Sequence, residues 1–204
     1  PEELELLFVE WTERSGREGW LEPQAVRAVF PCRSEGNDVV VLDIDDPAKE
    51  LCRFDFDVVI GAGKEDTVCS AQYFFPKELG KLDAVGLQIS STGPQIDAQL
   101  ARFKKDGDSE SALFLQGLSD RLAEDMADYV HGTLRHAVGL NGTTRGTRWS
   151  PGYPAISNTE NNKLIHKLLE ARKNIGVQVT DAGEFFPTGC TAALVSFHPD
   201  ARYS

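Results

Sequence analysis

The residues best suited to ligand chemistry lie close together in residues 139–155, whose sequence is GLNGTTRGTRWSPGYPA. Within this loop, Arg148 offers a planar set of N–H donors that matches the geometry of a carboxylate. Gly152 allows the backbone to approach a ligand closely, and Tyr153 adds a flat ring with a polar tip. The combination suits a zwitterionic or nucleoside-like ligand. On composition alone, a rigid connecting loop with Arg148 in a surface ion pair is the simpler interpretation.

Other kinds of site are poorly supported by the sequence. The histidines lack the spacing of metal ligands, and the cysteines form no C-x-x-C pair. Residues 61–64 (GAGK) do not complete a phosphate-binding loop, and residues 198–200 (HPD) are more simply explained as a turn. No G-x-S-x-G nucleophile motif is present. The histidines are His131, His136, His166 and His198, and the cysteines are Cys32, Cys52, Cys69 and Cys190.

The balance of charges argues against two classes of partner. The chain has 204 residues, and its 21 Lys and Arg against 32 Asp and Glu give a net charge of −11. Nucleic acids and anionic membrane surfaces attract basic proteins, so we expect neither as a partner. No apolar run is long enough to span a membrane, and the scattered cysteines indicate reduced thiols in the cytoplasm. The length suits one domain over residues 1–204, and Pro1 in place of Met favours a fragment.

Three helices are predicted around this loop. Residues 2 to about 14 have apolar side chains at helical spacing, which predicts an amphipathic helix. The longest signal covers residues 109–137, where apolar side chains recur at three- and four-residue steps. A third helix is predicted from about residue 159 to 174, with Gly176 as its C-cap. The stripe of the longest helix consists of Leu115, Leu118, Leu122, Met126, Tyr129 and Leu134.

Strands are predicted from short apolar runs that turn residues separate. They cover residues 26–30, 39–42, 58–60, 82–90, 177–179 and 192–197. The order of helix, strands, long helix, loop, helix and strands indicates an α+β fold with a mainly antiparallel sheet.

Several motifs of the chain resemble, in order, those of one known family. RWSPGY at residues 148–153 fits R-x-x-x-G-Y, the S-adenosylmethionine signature of the activation domain of cobalamin-dependent methionine synthase. SDRLAE at 119–124 and ADYVH at 127–131 are similar to that domain's long helix. FFPTG at 185–189 and SFHPDARY at 196–203 resemble its closing strand and terminal segment, and residues 69–86 resemble an upstream strand and turn. The likeness covers about residues 20–204, so the N-terminal helix lies outside it.

The resemblance implies a fold and a role in methionine biosynthesis. The fold would be a single C-shaped α+β domain with a twisted antiparallel sheet and flanking long helices. The domain would bind S-adenosyl-L-methionine and support the reductive methylation of cob(II)alamin, as part of a methyltransferase and not as a complete enzyme. The implied partners are a cobalamin-binding domain or corrinoid protein and a flavodoxin-type electron donor. Candidate basic contacts for that donor are Arg102, Lys104 and Lys105.

The resemblance also implies which residues contact the ligand. Arg148 would hold the carboxylate of S-adenosylmethionine, and the backbone around residues 151–155 would line its adenine and methionine portions. Gln72 stands where the family has an Asp for the ligand's amine, so a neutral amide replaces a charged partner and weaker binding is expected. The full expected set is Gln72, Arg148, Pro151, Gly152, Tyr153, Pro154, Ala155, Tyr203 and Ser204.

Two alternatives stay open at this point. After Pro154 the chain lacks the family's Pro, acidic residue and His, and together with Gln72 this favours a diverged, non-catalytic module. Such a module would dock on a corrinoid protein without binding S-adenosylmethionine. The other alternative is a scaffold that serves an unrelated small ligand.

Overall fold

The computed structural model describes residues 2–60 and 67–202, with side chains from residue 5 onward. Five α-helices lie within these residues: α1 Glu2–Arg17, α2 Ile96–Lys105, α3 Ser109–Ala137, α4 Asn161–Leu168 and α5 Ala171–Ile175. The strands are β1 Gln24–Glu35, β2 Asp38–Leu42, β3 Glu50–Asp55, β4 Val58–Ile60, β5 Thr67–Cys69, β6 Asp83–Ser91, β7 Thr147–Trp149, β8 Gln178–Val179, β9 Phe185–Phe186 and β10 Cys190–Ser196. Two short 3-10 helices, Ser70–Tyr73 and Lys77–Leu79, precede β6. The residues predicted to form the GAGK turn lie outside the described residues.

A six-stranded sheet forms the centre of the fold, with strand order β3-β2-β1-β6-β10-β7. Every neighbouring pair in it is antiparallel, which confirms the predicted α+β architecture. The central pair is long, since β1 and β6 align from Gln24 opposite Ser91 to Cys32 opposite Asp83. The sequence analysis missed β3, whose residues ELCRFD alternate irregularly between polar and apolar.

The two faces of the sheet differ in the size of the side chains they carry. On β6, Val85, Leu87 and Ile89 are fully buried and belong to the main hydrophobic core, with which α4 and α5 pack. Successive side chains of a strand point to opposite faces, so Gly86 and Gln88 face the other way. There, a Cβ on Gly86 would lie 3.1 Å from a side-chain carbon of Leu134, and Gln88 Nε2 donates to Ala127 O of α3 at 3.0 Å. The long helix therefore lies close against the second face.

Helix α3 has the bounds that the sequence predicts, but part of its predicted apolar stripe is wrong. Tyr129 is 70% exposed, whereas the small residues Ala123 and Ala127 are buried, and Ala127 accepts the hydrogen bond from Gln88 of the sheet. The physical reason is the close approach of helix and sheet, which leaves room for alanine where a tyrosine ring would not fit. Asp108 caps the helix, because its side chain accepts from Ser111 N at 3.0 Å.

The helix predicted over residues 159–174 is two helices. It breaks after α4 at Glu170, whose φ of +46° is in the left-handed region, and the chain then enters α5. Asn174 Nδ2 donates to Leu169 O at 2.9 Å, which satisfies a carbonyl near the break. Gly176 follows α5 with a φ of +69°, as predicted for its C-cap. None of the helices in the described part of the chain is long and apolar enough to cross a membrane.

Candidate functional site

Strand β7 positions Arg148 at the edge of the sheet. Arg148 pairs with Val195 of β10, and Trp149 pairs with Leu194. Because side chains alternate along a strand, the two residues point to opposite faces. Trp149 is fully buried in the main core, where it stacks on Tyr73 with ring centroids 6.0 Å apart. Arg148 consequently points to the face that α3 covers.

A row of carboxylates on α3 faces Arg148. Asp120, Glu124 and Asp128 follow one another at four-residue intervals, which places them on one side of a helix. Arg148 Nη2 donates to Glu124 Oε2 at 2.6 Å, and Arg148 Nη1 donates to Asp128 Oδ1. The side chain of Arg148 is 21% exposed, whereas the side chains of Glu124 and Asp128 are 55% and 75% exposed. Three carboxylates and one guanidinium leave this edge of the sheet with a surplus of negative charge.

The loop after β7 is held in a fixed shape by its own hydrogen bonds. Gly152 has a φ of +93°, which residues other than glycine rarely adopt. Its N–H donates to Ile156 O at 2.8 Å. Ala155 is buried in the main core, and its carbonyl accepts from Asp57 N at 2.9 Å. Tyr153 is left 55% exposed. The loop therefore presents Tyr153 from a rigid turn.

A cleft of about 440 Å³ separates this loop from α3. One wall is formed by Asp120, Ala123 and Glu124 of α3, another by the loop, and the floor comes from the start of β10. Carboxylates, hydroxyls and an amide lie beside two aromatic rings in this lining, so the cleft offers both hydrogen-bonding groups and flat apolar surface. Its lining residues are Asp120, Ala123, Glu124, Ser150, Pro151, Tyr153, Asn162, Phe185, Gly189, Cys190, Thr191 and Ala192.

A larger groove of about 820 Å³ lies between α1 and α3 but has different chemistry. Its lining is almost entirely apolar, with Phe8, Val9, Leu113 and Phe114 among the residues. Such a surface suits hydrophobic contacts and offers no cation for a carboxylate. The smaller, polar cleft is the better candidate for a zwitterionic or nucleoside-like ligand.

Comparison with known proteins identifies the family. The family described as vitamin B12 dependent methionine synthase, activation domain, matches residues 10–204. The chain belongs to this family.

Relatives and a solved structure agree with this assignment. Two relatives are methionine synthases, from Mycobacterium tuberculosis (strain ATCC 25618 / H37Rv) and Mycobacterium leprae (strain TN). Their sequence identities to this chain are 28% and 26%, over alignments that cover 95% of it. The chain spans only 18% of the length of each. The crystal structure of the MetH reactivation domain bound to AdoHcy superposes with a TM-score of 0.87 at 25% identity. That match covers 100% of this chain and 67% of the other.

The activation domain brings some of the expected ligand contacts together. Pro151 and Tyr153 line the cleft. Arg148 does not, but it donates a hydrogen bond to Glu124, which does. Gln72 is exposed on the 3-10 helix before β6, and Ala155 lies in the core, so neither side chain lines the cleft. Gly152 and Pro154 are neighbours of the lining residues in the loop. Tyr203 and Ser204 lie outside the described residues.

Sequence reasoning gave no role to the acidic wall of the cleft. Asp120 and Glu124 were noticed only as part of a helix motif, although the four-residue spacing of three acids was a usable signal. Sequence reasoning gives no role to Asn162 or Thr191, and it includes Phe185 only in the FFPTG motif. These residues lie on α4, β10 and β9, and only the tertiary fold brings them to the wall of α3, so no local pattern marks them as a site.

His131 lies beside this site on the buried side of α3. It is 7% exposed, and its Nε2 has no hydrogen-bond partner among the described residues. Burial lowers the pKa of His131 from 6.5 to about 4, and the positive charges of Arg135 and Arg148 add to the shift. The residue is therefore neutral in the folded activation domain at pH 7.

This burial predicts a pH dependence of stability. The unfolded chain binds a proton on His131 below pH 6.5, but the folded chain does so only near pH 4. The stability that the folded chain gains by burying the neutral His131 is thus fully present above pH 6.5. It is lost as the pH falls to 4, by up to about 3 kcal/mol of the free energy of unfolding. Urea unfolding of the parent and His131→Gln between pH 7 and 4 measures it. The parent should lose more stability than the variant, and His136→Gln, at an exposed position of α3, controls for removal of a histidine. Parallel curves for the parent and His131→Gln would refute the prediction.

Proposed function

We propose that this activation domain binds S-adenosylmethionine (AdoMet) in the cleft between α3 and the loop after β7. The observation that carries the proposal is that the RWSPGY loop and two acids of α3, Asp120 and Glu124, line one polar cleft, while Arg148 pairs with Glu124 of that lining. The similar MetH reactivation domain was solved bound to AdoHcy, which is what remains of AdoMet after it gives up its methyl group. Family membership and site chemistry thus support the same ligand.

Size and charge of the cleft suit AdoMet. Small-molecule sites commonly have volumes of about 300–1,000 Å³, and this cleft lies within that range. AdoMet carries a sulfonium and an ammonium group besides its carboxylate. Asp120 and Glu124 offer negative charge to the cationic groups and acceptors to the ribose hydroxyls. Arg148 pairs with Glu124 at 2.6 Å, and its guanidinium suits the ligand's carboxylate.

The residues of this chain would hold and orient the ligand. The ring of Tyr153 offers a face for the adenine, and the backbone of residues 151–155 offers hydrogen bonds to the adenine and methionine portions. Gln72, Tyr203 and Ser204 stay proposed contacts on the strength of the family resemblance. AdoMet supplies an electrophilic methyl group when bound. The domain's own task is to place that group where a second domain can take it.

The wider role follows from the family. A cobalamin-binding domain of the same methionine synthase is the proposed partner, and the chain spans 18% of such relatives. Cob(II)alamin would accept one electron, from a flavodoxin-type donor, and a methyl group from AdoMet. The products would be methylcobalamin and AdoHcy.

A second candidate function has its own support. Arg148 is already bound by two carboxylates, and Gln72 supplies no charge for an ammonium group. Both observations favour a module that docks on a corrinoid protein without binding AdoMet. Calorimetry separates the two functions, because a docking module would bind a cobalamin domain and give no heat with AdoMet.

The test is a calorimetric titration of AdoMet into the parent and into Gln72→Asp. The proposed function predicts binding with a stoichiometry of one. Gln72 lies outside the cleft lining, so Gln72→Asp tests the family-based contact separately: a contact with the ligand's amine predicts up to about tenfold stronger binding. Gln95→Asp, at another exposed glutamine, controls for the added charge. Binding that is equal in the parent and Gln72→Asp would remove residue 72 from the site. If none of the three proteins gives a binding heat with AdoMet, the result supports the docking module instead.

A further inference from the structure

Glu124 and Asp128 hold Arg148 from two sides, but only one of them lines the cleft. Glu124 is part of the cleft wall and also accepts from Arg148 Nη2 at 2.6 Å. Asp128, one helical turn further on, accepts from Nη1 and lies outside the cleft. Asp128 is also the more exposed of the two carboxylates, at 75% against 55%. The end of the guanidinium is thus shared between a wall residue and an outer residue.

We propose that Asp128 is a latch that occupies Arg148 until a ligand carboxylate replaces it. The inference rests on the proposed function, because it concerns how a ligand reaches Arg148. In the free domain Asp128 fills the position on Nη1 that a ligand carboxylate needs. Asp128 therefore reduces the affinity for every ligand that carries a carboxylate and leaves other ligands unaffected.

The charges around these donors favour such an exchange. Each terminal nitrogen of a guanidinium carries two N–H groups. In this domain each terminal nitrogen already donates to a different acid. A third carboxylate at that end would lie against the like charges of Glu124 and Asp128, so it binds Nη1 more favourably once Asp128 has withdrawn.

Asp128 is the acid that withdraws more easily. Water already surrounds most of its side chain, so leaving the ion pair costs little. Arg148 itself is 21% exposed and is fixed by β7, so it stays in place while the acid moves. Glu124 remains in the wall and keeps Arg148 oriented. The site would then change its partner on one nitrogen only.

The test compares ligands with and without a carboxylate on Asp128→Asn. AdoHcy has a carboxylate, and decarboxylated AdoHcy has the same nucleoside, thioether and amine without it. Asp128→Asn should strengthen AdoHcy binding about twofold to fivefold, the range expected for an exposed ion pair, and should not strengthen the binding of decarboxylated AdoHcy. Asp125→Asn removes an exposed acid of the same helix, which pairs with Arg121 at 2.9 Å, and should change neither ligand.

Each other outcome overturns the latch in a recognisable way. Weaker AdoHcy binding by Asp128→Asn would make Asp128 a positioning residue that holds Arg148 for the ligand. Equal strengthening of both ligands would indicate a general effect of charge. If the parent binds AdoHcy and Asp128→Asn binds it equally well, the latch fails and the proposed function stands. If neither the parent nor the variant binds AdoHcy or AdoMet, both proposals fail together. Equal thermal midpoints of parent and variant would show that the fold is unchanged.

Discussion

Arg148→Ala is expected to weaken AdoMet binding by about 10- to 100-fold, because a charge-assisted bond to the ligand carboxylate is lost. Thermal unfolding should remain cooperative. The two acids that pair with Arg148 are 55% and 75% exposed, so water can solvate them when the guanidinium is gone. Calorimetric titration of AdoMet, together with a melting curve of the variant, measures both effects.

Arg148→Lys is the matched variant for this prediction. Lysine keeps the positive charge but lacks the planar pair of donors, so its affinity should lie between those of the parent and Arg148→Ala. AdoMet affinity that is unchanged in Arg148→Ala would remove the carboxylate assignment. A loss of affinity that comes with a non-cooperative melt would instead give Arg148 a role in folding.

Gly146→Ala is expected to cause the largest loss of stability, at least about 3 kcal/mol of the free energy of unfolding. Gly146 has a φ of +89°, and a Cβ there would collide with the carbonyl oxygen of Ser196 in β10. Backbone cannot move aside as a flexible side chain can, so the pairing of β7 with β10 must open. Since β7 carries Arg148, ligand binding should fall as well. Urea denaturation measures the loss.

Gly142→Ala provides the control in the same loop. Gly142 also has a positive φ, +68°, but no atom lies within 4 Å of the position a Cβ would take. Gly142→Ala should therefore lose only about 1 kcal/mol of the free energy of unfolding, which is the cost of placing alanine in the left-handed backbone conformation. Equal losses of stability in Gly146→Ala and Gly142→Ala would show that β7 can move without cost, which would contradict its pairing with β10.

The elements that local signals define could be predicted from the sequence. Helix α3 has a periodic apolar pattern, a capping residue in Asp108 and a glycine shortly after its last residue. Strand β6 could be predicted because the apolar residues Val85, Leu87 and Ile89 recur at every second position. By contrast, β7 lies inside a glycine-rich loop, and only its pairing with β10, more than 40 residues later, makes it a strand. Local patterns carry no information on such a pairing.

The candidate site shows the same division. The RWSPGY motif identified Arg148 and the loop of Tyr153 from the sequence, since their chemistry is local. The opposite wall depends on how α3 packs across the sheet, so Asp120, Glu124 and the ion pairs of Arg148 became visible only in the structure. The simpler interpretation of Arg148, as one partner of an ion pair, describes the free domain correctly.

Amide chemical shifts show where on the domain the ligand binds. Titration of AdoHcy into the isotope-labelled chain of 22.4 kDa should shift the amides of Ser150, Gly152, Tyr153 and residues 189–192, which border the cleft. The amides of Phe8 and Leu113, in the apolar groove between α1 and α3, should stay in place. Shifts confined to that groove, or no shifts at all with AdoHcy and AdoMet in large excess, would contradict binding in the cleft.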